Sequence, residues 1–139
     1  MRSAAHLFGD EHVRSYLETD GELGYRWKED SPIAILFTVG RTSGEERAHP
    51  LIFGRDGDNV VLVASKGGAP EHPGWYRNLR ASPEAEVQVL GDRWPVRARD
   101  AEGEERERLW RLMNELWPHY DEYRARTERQ IPVVVLEPR

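Results

Sequence analysis

Glu84-Ala-Glu-Val-Gln-Val-Leu-Gly-Asp-Arg-Trp-Pro-Val-Arg-Ala-Arg99 alternates apolar and polar residues on either side of Gly91-Asp92. A period of two sends successive side chains to opposite faces, so Glu84–Leu90 and Arg93–Arg99 read as two strands. Gly91-Asp92 suits the tight hairpin between them, and Trp94, Val96 and Ala98 share one face of the second strand. Upstream, Leu51–Phe53 and Asn59–Ser65 flank Arg55-Asp56-Gly57-Asp58, again with hairpin chemistry. Ile33–Val39 is an apolar run ended by Gly40, and Ile131–Leu136 closes the chain as a last strand. Helical spacing lies between and outside these strands. Asp10 suits the N-cap of a first helix carrying Val13, Tyr16 and Leu17, with Gly21 as its stop. Pro73 can start a second, in which Trp75 and Leu79 lie four apart before Ser82-Pro83 ends it. From Glu102 to Trp117, Leu109, Leu112, Met113 and Leu116 form an apolar stripe. Glu104–Arg108 and Glu107–Arg111 are paired on its wet side.

Hairpin-joined strands with helices set around them do not make the alternating units of a doubly wound sheet. The expected class is α+β: a small, mostly antiparallel barrel of about six strands with three or four flanking helices. At 139 residues and 16.1 kDa the chain has the size of one domain, expected to span 1–139 with 1–20 as an N-terminal helical extension.

Composition narrows the function. The absence of cysteine excludes disulfides, thiolate nucleophiles and iron–sulfur ligation. Apolar runs such as Ile33–Phe37 stop far short of the ~20 residues that span a bilayer. No basic stretch followed by an apolar one opens the chain, so the expected setting is cytoplasmic. A net charge of −5 argues against a nucleic-acid partner. Residues 1–40 and 81–139 each carry −3, which would repel anionic lipid and leaves at most weak peripheral membrane contact. Residues 41–80 carry +1, the best place for an anionic ligand. Lys66 lies there, one of only two lysines beside Lys28.

The five histidines, His6, His12, His49, His72 and His119, form no metal-ligand pattern, so no metal is expected. No GxSxG elbow, P-loop or dinucleotide fingerprint is present either. Two glycine loops are more informative. In Val63-Ala64-Ser65-Lys66-Gly67-Gly68-Ala69-Pro70 a strand runs into a hydroxyl, an ammonium and two glycines, whose backbone N–H groups can converge on an anion. Gly40-Arg41-Thr42-Ser43-Gly44 follows another strand in the same manner, with Arg47 close behind. Each alone is also what an ordinary turn looks like; together they point to a phosphate or carboxylate. Trp75, Tyr76, Trp117, Tyr120 and Tyr123 lie near helix ends, as core residues or as a wall for a flat ring.

These blocks, with Pro50-Leu51, His72-Pro73, Trp75-Tyr-Arg-Asn-Leu79, Trp117-Pro-His-Tyr-Asp-Glu-Tyr123 and Arg129-Gln-Ile-Pro132, resemble the deazaflavin-dependent nitroreductase family over roughly residues 21–138. The resemblance implies a split β-barrel and coenzyme F420, an 8-hydroxy-5-deazaflavin hydride donor with a phosphate and a glutamate tail. It implies that Arg41, Thr42, Ser43, Arg47 and Lys66 hold the phosphate and tail, beside Gly67 and Gly68. Pro50, Leu51, Ile52, Val63, Ala64 and Ser65 would line the deazaflavin, with Trp75 and Asn78 completing the groove. Tyr120 and Ser65 would be catalytic, and Ile52, Trp117, Tyr120 and Tyr123 would meet the acceptor. Ile52 and Trp117 stand where the prodrug-reducing member has tyrosines. The expected activity is hydride transfer to a small electrophile, a quinone first and nitro compounds second. An FMN oxidoreductase on the same barrel and a non-catalytic deazaflavin carrier are the alternatives.

Overall fold

A computed structural model describes residues 2–139. Its main sheet has seven strands, all antiparallel, in the order β4-β3-β7-β8-β9-β6-β5. These are β3 (Ile33–Val39), β4 (Glu46–Ile52), β5 (Gly54–Asp56), β6 (Asn59–Val63), β7 (Glu84–Val89), β8 (Asp92–Asp100) and β9 (Val133–Pro138). The outermost strands, β4 and β5, are consecutive in the chain and separated only by Phe53. One residue of backbone cannot span an open sheet, so the sheet must curl until its ends meet. This is the α+β split barrel expected from the sequence.

Alternation along the strands divides the core. Ala34, Leu36, Val60, Leu62, Val87, Val134 and Leu136 face one interior with Phe53. Helix α2 (Gly74–Ala81) sets Trp75, Tyr76 and Leu79 into that same core. The opposite faces are covered too. Helix α1 (Gly9–Thr19) packs Val13 and Tyr16 on Ile33, Ile35 and Phe37. Helices α3 (Gly103–Leu116) and α4 (His119–Arg126) pack Leu109, Trp110, Met113 and Tyr120 on Val61, Val63, Val133 and Val135. Strands buried on both faces read as continuous apolar runs, which is why β3, β6 and β9 stand out in the sequence.

Several local expectations shift. Helix α1 begins at Gly9 after an extended Phe8, and Asp10 sits in its first turn rather than at its cap. The β7–β8 turn is Leu90-Gly91, with Leu90 in the left-handed region at φ 55°. Strand β6 stops at Val63, two residues before Ser65. Strand β4 starts at Glu46, where charge and a histidine hide an exposed edge. A short parallel pair, β1 (Arg2–Ser3) with β2 (Leu23–Arg26), forms a separate sheet, and β2 packs Tyr25 edge-on against Phe53.

Fully buried Tyr16 ties α1 to the barrel. Its hydroxyl donates to the Ile33 carbonyl at 2.9 Å and accepts the Leu90 N–H at 2.7 Å. It therefore holds the strained hairpin at Leu90 as well as the helix. Replacing Tyr16 by Phe leaves a buried amide and a carbonyl unpaired, and should cost about 1–3 kcal/mol of stability in urea unfolding. A cost below about 0.5 kcal/mol would mean that water replaces the hydroxyl.

Candidate active site

A groove of about 470 Å³ opens over the seam where the two ends of the sheet meet. One wall is β4, through His49, Pro50, Leu51 and Ile52; Val63, Ser65, Lys66 and Gly67 form the floor beyond β6. Pro73 and Trp75 close one end. Trp27, Trp117, Tyr120 and Tyr123 build the opposite side, and Phe8 stands at the mouth, 76% exposed. Trp27 and Trp117 stack at 6.1 Å with an interplanar angle of 23°. Groove-facing apolar area is thus broad and flat, with a few polar groups at set positions, the usual build of a cofactor site.

Two of those polar groups are hydroxyls. Among the described residues, Ser65 Oγ and Tyr120 Oη make no hydrogen bond to protein, although Ser65 is 8% and Tyr120 4% exposed. No buried side-chain nitrogen or oxygen is left unsatisfied among them. Both hydroxyls therefore open onto the groove. Burial pushes the Tyr120 phenol well above its ordinary range, so it stays a protonated donor. Tyr123, by contrast, accepts the Trp117 indole N–H at 3.2 Å.

The cations sit at the Pro73–Trp75 end. Lys66 Nζ lies 2.9 Å from Glu71 Oε1, with both side chains about half exposed. Arg41 donates through Nη1 to Asn78 Oδ1 at 2.8 Å and to the Gly74 carbonyl at 3.3 Å. Lys66 and Arg41 thus bracket residues 71–74, which lead into α2. Arg47 reaches Ser43 Oγ only at 3.5 Å and is exposed, as are Thr42 and Ser43. Lys66, Gly67 and Gly68 follow one another at φ 48°, 63° and 82°. The amides of Ser65, Lys66 and Gly67 enter none of the backbone hydrogen bonds that hold this turn, and successive left-handed residues are the geometry of backbone nests.

Of the residues singled out in the sequence, Pro50, Leu51, Ile52, Val63, Ser65, Lys66, Gly67, Trp75, Trp117, Tyr120 and Tyr123 meet in this groove. Arg41, Thr42, Ser43, Arg47 and Asn78 belong to the adjoining hairpin tip and α2. Ala64 is fully buried, and Gly68 is buried against α4. Sequence reasoning missed Trp27, His49 and the α1 start at Phe8, Gly9 and His12. Only His49 had a signal, its place directly before Pro50.

His49 joins a chain of polar contacts. Asn78 Nδ2 donates to Thr38 Oγ1 at 3.0 Å, and Thr38 Oγ1 lies 3.0 Å from His49 Nε2. The same asparagine that receives Arg41 thus fixes a ring in the groove wall. Burial, then the nearby Arg47 charge, pulls the His49 pKa down to about 4. His119 behaves oppositely: Glu122 at 2.7 Å and Glu29 at 2.6 Å raise its pKa. Its bond to Glu29 joins α4 to the turn after Trp27.

With this geometry described, comparison with known proteins identifies the class. Residues 9–138 match the family described as F420H(2)-dependent quinone reductase. The chain belongs to that family. It is 41% identical over 128 residues to an F420H(2)-dependent quinone reductase of Mycobacterium tuberculosis, covering 90% of this chain and 86% of that protein. Among solved structures, an F420-H2-dependent reductase, FDR-A, aligns with TM-score 0.72 and 44% identity over 76% of this chain and 94% of its own. A chain solved as a domain-swapped dimer aligns with TM-score 0.74 and 41% identity, over 91% and 92% respectively.

The two histidines should titrate on opposite sides of the ordinary value near 6.5. His49 binds its proton more readily unfolded, so its contribution to stability falls as pH drops from about 6.5 toward 4. His119 binds its proton more readily folded. Its contribution is present below about 6.5 and is lost as pH rises through its raised pKa. NMR titration of the imidazole protons should give a His49 midpoint near 4 and a His119 midpoint above the ordinary value. Glu29→Gln should lower the second and leave the first in place.

Proposed function

We propose that this chain passes hydride from reduced coenzyme F420 to a small electrophilic acceptor, a quinone first and nitro compounds second, within this groove. The observation that carries the reading is the pair of unpartnered hydroxyls, Ser65 and Tyr120, open to a flat apolar slot, while among the described residues every fully buried side-chain nitrogen and oxygen is paired. A deazaflavin ring fits the slot chemically: Pro50, Leu51, Ile52, Val63 and Trp75 offer apolar faces, and Ser65 supplies one hydrogen bond. A phosphate suits the free amides of the Ser65–Gly67 turn together with Lys66. An acidic tail can continue toward Arg41, with Thr42, Ser43 and Arg47 on the hairpin tip and Asn78 holding Arg41 in place. Ala64 and Gly68 shape the turn from behind.

When bound, the coenzyme supplies the hydride; this chain's residues orient, desolvate and donate. Tyr120 stays protonated, so it can hydrogen-bond to the acceptor oxygen that gains charge as hydride arrives. A donor aimed at developing charge acts mainly on the transition state. Trp117, Tyr123 and Ile52 give the acceptor apolar contact, and the Trp27–Trp117 stack keeps water from that side. The acceptor is a small molecule rather than a nucleic acid, in keeping with a net charge of −5. Among the described residues no helix is long and apolar enough to cross a membrane, and we assign the chain to the cytoplasm.

Fluorescence titration with F420 and FMN side by side tests the coenzyme. Saturable F420 binding with weaker FMN binding is expected; the reverse order would sink the reading. Lys66→Ala should weaken F420 by roughly 10–150-fold, the loss of one charge-assisted hydrogen bond of about 1.5–3 kcal/mol. Tyr120→Phe should lower turnover about 100-fold while the F420 dissociation constant stays put. Equal loss of both would assign Tyr120 to packing alone.

A further inference from the structure

The segment between α4 and β9 carries a residue that the groove does not contain but depends on. Arg129 is half-buried, and its guanidinium is spent on backbone. Nε donates to the Ala69 carbonyl at 2.8 Å, Nη2 to Ser65 at 2.6 Å, and Nη1 to Ala64 at 3.2 Å. Nη1 also meets His72 Nδ1 at 3.0 Å. None of the described ion pairs includes Arg129. A planar fork with five donors can hold several acceptors at fixed angles, as a lysine cannot.

What it holds is strained. A lysine at φ 48° pays of order 1–2 kcal/mol for the left-handed region. Such backbone persists only where its surroundings over-determine it. Two contacts do so, one from α4 and one from Arg129, which does not line the groove. Gly68 packs on α4 so closely that a Cβ there would lie 2.8 Å from the Tyr123 carbonyl oxygen. Arg129 fixes carbonyls on both sides of the turn, Ala64 and Ser65 before it and Ala69 after it.

We infer that Arg129 is the positioning residue of the coenzyme loop: by drawing the Ala64, Ser65 and Ala69 carbonyls to one side, it presents the Ser65–Gly67 amides and Lys66 to the groove. The inference rests on the F420 reading and adds a residue that touches neither coenzyme nor acceptor. An arginine that served stability alone would lower the melting temperature and leave loop residues acting independently. A positioning residue couples to Lys66 instead, because Lys66 contributes only when the turn aims it.

A double-mutant cycle on the full-length protein separates the two. F420 dissociation constants are measured by fluorescence for wild type, Lys66→Ala, Arg129→Met and the double variant. Arg129→Met should weaken F420 about tenfold or more, and in its background Lys66→Ala should cost less than about threefold. Arg129→Lys keeps the charge but loses the fork, so it should recover only part of the affinity; it carries the same cycle if the methionine variant does not fold. Additive losses, or an Arg129→Met protein that binds F420 like wild type, would overturn the inference while leaving the F420 reading intact. A wild-type protein with no saturable F420 signal would overturn the reading itself, before any variant is compared.

Discussion

Phe53 is the only residue between the two edge strands of a seven-stranded sheet, and that shortness governs the molecule. With β4 running almost directly into β5, the sheet cannot stay open; β4 comes against β6, and closure buries Phe53 in the inner core. Closure leaves β4 and β5 as edges, and β4 carries charge and a histidine along its exposed start. The seam it creates is not a full ladder. β4 and β5 are not hydrogen-bonded to each other, so side chains of β4 and of the β6 end remain available there. The groove lies over this seam, with the constraint that shapes the barrel also placing Pro50, Leu51 and Ile52 opposite Val63 and Ser65.

Around the seam, three separately folded pieces converge: the hairpin tip at residues 40–45, the left-handed turn at Lys66–Gly68, and the aromatic helix α4. Each is fastened by polar side chains. Asn78 on α2 receives both the amide and the guanidinium of Arg41. Arg129 holds the turn through three carbonyls. Asp121 on α4 accepts the Trp110 indole N–H at 2.7 Å and so docks the helix on α3. Hydrogen bonds to charged groups contribute more than neutral ones. A small barrel can therefore keep irregular loops in place without extending its core.

How much of this was legible follows from which signals are local. β3, β6, β7, β8 and β9 announce themselves, since period-two alternation or an unbroken apolar run needs only neighbouring residues. So does α3, with its long apolar stripe. Strand β4 was half legible: Glu46, Arg47 and His49 are polar because an edge faces solvent, and only pairing with Ile33–Val39 makes them strand. Helix α4 shows no amphipathic period, because Tyr120 and Tyr123 are its only large apolar residues and the rest is charge. The site followed the same division. The Ser65–Gly67 turn and the Trp117–Tyr123 block are contiguous in sequence and both reach the groove, whereas the Gly40–Gly44 loop lies beside it. Trp27 reaches the groove only through its stack on Trp117, a contact 90 residues away in the chain. Arg129 stood in a matched block, but nothing beside it says that its guanidinium turns back to Ala64.

The sequence has no cysteine, and among the described residues no group of three or more His, Asp or Glu lies together as metal ligands would. In most enzymes of this size such a set would argue against catalysis. Here it fits the division of labour in cofactor chemistry, where the protein binds, orients and excludes water. Two hydroxyls, one ammonium and a few free amides suffice for that, provided that they are held still. Rigidity then becomes the functional property. Tyr120 is locked by burial between Trp110 and Tyr123, at centroid distances of 6.2 Å from each. Lys66 is held by a turn that its own backbone disfavours. The turn fixes only the backbone from which Lys66 projects, a strain met during folding, while its half-exposed side chain reaches Glu71. The shape of such a turn is therefore set in part from behind, where Arg129 binds the Ala64, Ser65 and Ala69 carbonyls on either side of Lys66–Gly68.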